Sequence, residues 1–297
     1  MPSLLGTIGR IYVEKRVRTL FHKKPFSVEG FRASFARTQI WVKGPSGCKI
    51  EQVQIAGVRA DWIIPPNISD KKQMLLYFHG GGFVLGALKA HYHYCSDLSK
   101  KLSVPVLMVH YRLAPENPYP AGAEDCLAVY REIIKDYKLA LGGDSAGAYL
   151  ALATVVSAQK EKLPLPNCLF VLSPASGDLF PQVNSVGFPD RDQMFSKPTL
   201  QFFINSYFGK MENFEDAEII PMKSEFKGFP PMVIVSAKNE LLHKDCLCIE
   251  QAARKNGVHV VHISEDGLFH VYPLAWVIPE AKRAREKIAE FIRGYWG

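Results

Sequence analysis

Gly143-Asp144-Ser145-Ala146-Gly147 sets a serine between small residues at the junction of two unlike segments. Before it, Leu139-Ala140-Leu141-Gly142 reads as the end of a buried strand. After it, Ala148 to Ala158 reads as a mostly apolar helix. A serine on so sharp a strand-to-helix turn projects its hydroxyl away from the sheet. Small flanking residues let the turn pass the neighbouring strand and helix without collision. At a helix N-terminus, Ser145 also stands where the dipole favours developing negative charge. The chemistry this predicts is nucleophilic attack on a carbonyl. A hydroxyl is a poor nucleophile alone, so it needs an imidazole to take its proton, a carboxylate to hold the imidazole, and N–H donors for the oxyanion.

Donors for the oxyanion are offered upstream by His79-Gly80-Gly81-Gly82, which follows the apolar strand Gln73 to Phe78. Three glycines after a strand leave a backbone whose N–H groups can approach an oxygen closely. The N–H groups of Gly81 and Gly82, completed by that of Ala146 after the nucleophile, are the expected oxyanion hole. His79 leads this loop and is expected to brace it rather than to move protons.

The order HGGG, Tyr111-Arg112-Leu113-Ala114-Pro115-Glu116, Tyr119-Pro120-Ala121 and GDSAG resembles that of the hormone-sensitive-lipase-like serine esterases. The resemblance covers roughly residues 50–295. It implies an α/β-hydrolase fold, with a mostly parallel sheet, helices on both faces and a small helical cap. It also implies hydrolysis of carboxylic esters with neither a metal nor an organic cofactor. The cap would be built from about residues 1–45 and about 180–225, within a single domain spanning 1–297.

In that fold the base and acid follow the nucleophile in the order serine, carboxylate, histidine. His22, His91, His93, His259 and His262 are poorly placed for the role. His270, in the loop Asp266-Gly267-Leu268-Phe269-His270 after a strand, matches the family's catalytic histidine. The carboxylate should follow the strand Met232 to Ala237, where Glu240, Asp245 and, more remotely, Glu250 stand. Laying the family pattern over Ala237 to Leu242 selects Glu240. Most relatives carry aspartate there, so the glutamate is a departure, and its extra methylene asks for a compensating shift of the loop.

Some polar residues in and beside these motifs are expected to be scaffolding. Asp144 is too close to the serine to reach the far ring nitrogen of His270, so it is assigned to loop structure. Asp125 is assigned likewise. Arg112 and Glu116 are expected to pair and pin their loop.

The elements that must position these groups alternate through the chain. Strands are expected at Gln73–Phe78, Val104–Val109, Lys138–Leu141, Cys168–Ser173, Met232–Ala237 and Val258–Ser264. Helices are expected at His93–Leu102, Gly122–Asp136, Ala146–Gln159, Lys244–Asn256 and Glu280–Arg293. Such alternation argues for a parallel sheet covered on both faces. Gln52–Ile64 reads as an edge hairpin turning at Ala56-Gly57. Between Leu172 and Phe229 lie clustered aromatics, among them Phe180, Phe188, Phe195, Phe202 and Phe203. Pro198-Thr199-Leu200 looks like a helix start there, and Gly209 a stop.

With 297 residues, 47% of them hydrophobic, one large core is within reach. The six cysteines (48, 95, 126, 168, 246 and 248) lack metal-binding spacing and suit free thiols in a reducing, cytoplasmic compartment. No secretory signal pattern opens the chain. The formal charge is +7, and residues 1–43 alone account for it. Within that segment Leu4, Leu5, Ile8, Ile11, Tyr12, Val17, Leu20 and Phe21 are spaced as in an amphipathic helix. The adopted reading is a cap helix whose apolar face packs on the core. Contact with anionic lipid is the less favoured one, and nucleic acid is disfavoured for want of any motif. Two further functions compete with a soluble esterase acting on short acyl esters. One is a membrane-surface lipase. The other is a non-catalytic small-ligand receptor, against which the presence of His270 counts. Amide or lactone hydrolysis would use the same residues.

Overall fold

Short runs rich in Val, Leu, Ile and Phe are buried along their whole length, as a parallel sheet sandwiched between helices requires. The computed structural model of the chain describes residues 1–21, 27–38, 47–175, 192–209 and 221–296. Among these, eight strands form one sheet in the order β1-β2-β4-β3-β5-β6-β7-β8. They are β1 (Lys49–Ile55), β2 (Val58–Ile64), β3 (Gln73–Phe78), β4 (Val106–Val109), β5 (Lys138–Asp144), β6 (Cys168–Leu172), β7 (Met232–Ala237) and β8 (Val260–Glu265). The β1–β2 and β2–β4 pairs are antiparallel and the rest are parallel. The edge hairpin turns at Ala56-Gly57 as expected, with the register Ile55↔Val58.

The helices that matter for the site are α1 (Leu4–Tyr12), α2 (Val28–Thr38), α3 (Lys89–Leu102), α4 (Ala121–Ile133), α5 (Ala146–Lys160), α6 (Lys197–Phe208), α7 (His243–Lys255) and α8 (Pro279–Gly294). A π-helical turn, Val13–Val17, and one turn of α-helix, Arg18–Phe21, prolong α1. Two apolar clusters divide the core. Residues of α4, α5 and α7 pack on one face of the sheet, and those of α3 and α8 pack on the other. Helix α5 is apolar nearly all round, and Ala146 through Val155 are all buried, as a helix enclosed on every side must be. Its N-terminus meets β5 at the GDSAG turn. A Cβ on Gly147 would overlap the carbonyl oxygen of Phe78 at the end of β3. Glycine there lets the helix approach the strand, and so fixes where Ser145 emerges.

Residues 192–209, between β6 and β7, carry α6. Its start is capped by Ser196, whose hydroxyl accepts the Thr199 N–H, and it stops at Gly209 as the sequence predicts. Helices α2 and α6 join through an offset stack of Phe31 on Phe202, with centroids 5.2 Å apart. The remainder of the expected cap, including Phe180 and Phe188, lies outside the described residues.

Two expectations are corrected. Arg112 does not pair with Glu116. Its guanidinium lies 2.8 Å from Asp125 and 3.2 Å from Glu124, both on α4. Glu116 instead takes two hydrogen bonds from Arg32 of α2, at 2.7 and 2.9 Å. Arg32 also donates to the carbonyls of Val84 and Ala114, so it bolts α2 to the loop after the glycines. The second correction concerns α1. Its aliphatic residues do not pack inward: Leu4, Leu5, Ile8, Ile11 and Tyr12 are exposed, by 77, 49, 53, 39 and 56%. Only Val13 is buried, with Val17 and Leu20 half-buried.

Gly147→Ala should disturb the elbow from which α5 springs. The added methyl overpacks a rigid backbone contact, a change that costs roughly 1–3 kcal/mol or more. A melting temperature lower by about 3 °C or more is expected, and an unchanged melting curve would contradict the assigned contact.

Candidate active site

The carboxyl ends of β5, β7 and β8 lie along one rim of the sheet, with β6 between β5 and β7, and the loops that leave them meet there. Ser145 follows β5 directly, with φ 52° and ψ −118°. So unusual a conformation for a residue with a side chain stores strain, and the structure holds it by a 2.8 Å bond from the Ser145 N–H to the Leu172 carbonyl. Glu240 sits in the tight turn between β7 and α7. Its own N–H bonds to the Ala237 carbonyl, and its Oε1 accepts the Ala237 N–H at 3.2 Å. His270 follows β8 on a loop pinned by the buried Ser173, whose Oγ accepts the Val271 N–H at 3.1 Å.

These three predicted residues meet. His270 Nε2 lies 2.9 Å from Ser145 Oγ, and Nδ1 lies 2.8 Å from Glu240 Oε2. The imidazole and carboxyl are both almost wholly buried. An ionised carboxylate can only accept, so Nδ1 carries the proton and Nε2 is left as the acceptor facing the hydroxyl. Burial works to lower the His270 pKa. The hydrogen bond and charge of Glu240, together with Asp192 and Asp144, outweigh it and raise the pKa above its ordinary value. Asp245, the competing carboxylate, is buried near the start of α7 and is not the partner of His270.

A second string of the same residue types exists nearby. Glu250 Oε2 lies 2.6 Å from His262 Nδ1, and His262 Nε2 lies 2.8 Å from Ser236 Oγ, which also meets His243 Nδ1 at 3.0 Å. Ser236 is fully buried within β7 and is not among the described residues that line the cavity of Ser145 and His270. Burial and the neighbouring His262 lower the His243 pKa.

Gly81, Gly82 and Ala146 line the same cavity as Ser145 and His270. Their N–H groups have no hydrogen-bond partner among the described residues. Gly82 has φ 61°, and a Cβ there would stand 2.5 Å from the Phe203 ring, so no other residue fits without displacing α6. Asp144 braces this loop from behind. Its Oδ1 accepts the Tyr77 hydroxyl at 2.6 Å and the Gly80 N–H at 2.8 Å, while His91 Nε2 lies 3.4 Å from Oδ2. Burial alone would raise the Asp144 pKa, but His91, Tyr77 and the Gly80 N–H bring it below the ordinary carboxylate value. His79 stacks on Tyr111 with centroids 4.5 Å apart, and its Nδ1 lies 2.9 Å from the Gly80 carbonyl. Burial, with the charge of His91, takes its pKa down to about 3, so it is a neutral brace.

One residue of consequence escaped the sequence reading. Asp192 is nine-tenths buried, and its Oδ1 accepts the N–H groups of Met194 and Phe195, both at 2.6 Å. Its Oδ2 accepts the Leu241 N–H at 3.0 Å, one residue past Glu240. It thereby ties the segment leading into α6 to the turn that carries the carboxylate, and it sets Phe195 edge-on to His270, with centroids 4.8 Å apart. Desolvation raises the Asp192 pKa despite these donors. An aspartate whose carboxylate accepts the N–H groups two and three residues later is a local turn signal. Its bond to Leu241 has no local signal.

Met194, Phe195, Leu200, Phe203 and Ile204 wall one side of the cavity, and Tyr12, Val13, Val17 and Phe35 wall another. Its volume is about 370 Å³. Among the described residues no group of three or more His, Cys, Asp or Glu is arranged to hold a metal ion, and no helix is long and apolar enough to cross a membrane.

A mostly parallel sheet with a serine at a strained strand-to-helix turn, facing histidine and glutamate from later loops, defines an α/β hydrolase. Residues 75–274 match a family model described as alpha/beta hydrolase fold. The chain is 31% identical over 250 residues to an esterase of Acinetobacter venetianus, covering 82% of this chain and 81% of that one. It is 29% identical over 288 residues to an acetyl-hydrolase of Streptomyces hygroscopicus, covering 95% of each. A solved esterase from the bacterial hormone-sensitive lipase family superposes with a TM-score of 0.86 at 28% identity, covering 98% of this chain and 99% of that one. The chain thus belongs to the alpha/beta-hydrolase-fold family, in its hormone-sensitive-lipase-like esterase branch, and is a carboxylic ester hydrolase.

Only a neutral imidazole can accept a proton, so with His270 as the expected base, activity should rise as pH climbs through its pKa. The raised pKa places the acidic limb of kcat/KM on a soluble ester above the ordinary imidazole value of 6.5. Glu240→Gln keeps the shape but removes the charge, so the limb should move to lower pH while turnover falls by several orders of magnitude. A limb that stays put would show that Glu240 does not govern His270.

Proposed function

We propose that this hydrolase acts through Ser145, His270 and Glu240 by way of an acyl-enzyme. The observation that carries the reading is the unbroken string from Ser145 Oγ through both ring nitrogens of His270 to Glu240 Oε2. Ser145 Oγ bonds to the ester carbonyl carbon as its proton passes to His270 Nε2. The carbonyl electron pair moves onto oxygen, where the N–H groups of Gly81, Gly82 and Ala146 receive it. Collapse of this intermediate breaks the bond to the alcohol, which leaves with the proton from His270. Water then attacks the acyl-serine, giving its proton to His270, and the acid departs as Ser145 recovers its hydrogen. Glu240 keeps the imidazole oriented and balances its transient charge. Every step uses this chain's own groups and water, which also speaks against the receptor reading.

The substrate class we assign is short acyl esters. A cavity of about 370 Å³ lies near the small end of the range for small-molecule sites, and aromatic rings close its walls. We take the N-terminal helices and residues 192–209 as the described parts of a cap, since both supply those walls. No disulfide joins any of the six cysteines, which suits the cytoplasm.

Ser145→Ala should abolish ester hydrolysis and leave the melting temperature close to that of the parent. Across a series of p-nitrophenyl esters, kcat/KM should peak at short chains and fall for long ones. Higher specificity for an emulsified long-chain triglyceride than for a soluble short ester would contradict the substrate assignment and favour the lipase.

A further inference from the structure

Helix α1 is built inside out. At about 100° per residue, Leu4, Leu5, Ile8, Ile11 and Tyr12 share one side of the helix, while Gly6, Gly9 and Val13 share the opposite side. It is the small side that packs inward. A Cβ on Gly6 would stand 3.0 Å from the Glu280 carboxylate, and one on Gly9 would stand 3.3 Å from Ile278. Glu280, at the start of α8, accepts both the Ser3 N–H, at 2.5 Å, and the Ser3 hydroxyl, at 3.0 Å. The helix is therefore anchored by its start and by two glycines, and its aliphatic side is turned to solvent by design of the contact.

This side does not stand alone. Trp276 and Val277 are 45 and 52% exposed, and with Tyr12 they line the mouth of the catalytic cavity. Aliphatic residues of α1 and the rim of the cavity thus form one exposed apolar region, of the kind that marks an interaction site. Beside it the chain is basic. Arg10, Lys15, Arg16 and Arg18 stand against the single acid Glu14, and Lys15 and Arg16 are exposed.

We propose that α1 and the Trp276-Val277 rim dock the enzyme on an anionic phospholipid surface, with the mouth of the catalytic cavity turned toward the lipid. An amphipathic helix with an aliphatic side and flanking cations is what binds such a surface in its plane. A second copy of the chain fits worse, because it would bring its own arginines and lysine against these. A protein partner on this region would also cover the opening through which substrate must pass. A lipid surface instead concentrates apolar esters at that opening.

The test uses vesicles of equimolar phosphatidylglycerol and phosphatidylcholine, with pure phosphatidylcholine vesicles as the neutral control. The full chain should sediment with the anionic vesicles about tenfold or more better than with the neutral ones. Raising salt from about 0.1 M to about 1 M shortens the screening length from about 10 Å to about 3 Å and should weaken that binding. Ile8→Ser/Ile11→Ser should abolish it and leave hydrolysis of a soluble short ester unchanged, since neither residue lines the cavity. Lys15→Gln/Arg16→Gln should reduce the anionic preference, which tests the charge separately from the apolar side. The same binding is expected of the Ser145→Ala protein, so failure here would leave the hydrolytic reading standing. Absence of sedimentation, sedimentation indifferent to the Ile8 and Ile11 changes, or a dimer that those changes dissolve without any vesicle binding would each overturn the proposal.

Discussion

Everything at the rim of the sheet depends on how closely helix α5 approaches strand β3. Gly147 faces the Phe78 carbonyl with no room for a side chain, and a Cβ on Gly143 would likewise stand 2.5 Å from Phe78. That contact forces the turn between them and holds Ser145 at φ 52°. Strain of this kind persists only where its surroundings over-determine it. Here they do: a buried strand on each side, a buried helix behind, and the bond from Ser145 N–H to Leu172. The same contact delivers the Ala146 N–H beside the glycine loop that leaves β3. The proposed nucleophile and oxyanion donors are thus set by one backbone packing event.

The other half of the site is assembled by charge rather than by packing. Glu240 and His270 come from separate loops and are taken almost completely out of water. Burying a carboxylate costs several kcal/mol unless its hydrogen bonds are met. Glu240 meets them with the His270 ring and the Ala237 N–H. Asp192 and Ser173 then fix the two loops that carry the pair. Asp192 has a further consequence, since it links the acid turn to Phe195 and the segment that walls the cavity. That wall and the turn that carries Glu240 are thus tied through one buried carboxylate.

Much of this was legible in the residues, because the relevant signals are local. Strands β3 and β7 fall on the expected residues, since each is an uninterrupted apolar run ended by a turn. Strand β5 runs three residues further than expected, through Gly142-Gly143 to Asp144. Glycines read as a break, yet here the partners Phe78 and Val171 carry the ladder past them. Helix α3 begins at Lys89 rather than His93, because His91 accepts the Leu88 N–H and stands in for an ordinary capping residue. What could not be read were bonds between distant residues. Arg32 and Glu116 are 84 positions apart, and Asp192 and Leu241 are 49. The direction α1 faces was also hidden. Its pattern shows an apolar side but not that two glycines would win the inward position.

Covalent capture tests the central claim most directly. A fluorophosphonate probe reacts with a serine only where an imidazole activates it and donors receive the oxyanion. Peptide mapping after saturation should find one adduct per chain, on Ser145. Labelling should slow in acid as His270 takes up a proton, and it should vanish in His270→Ala. An adduct on Ser236, which has its own histidine and glutamate, or labelling of Ser145 that persists without His270, would contradict the account.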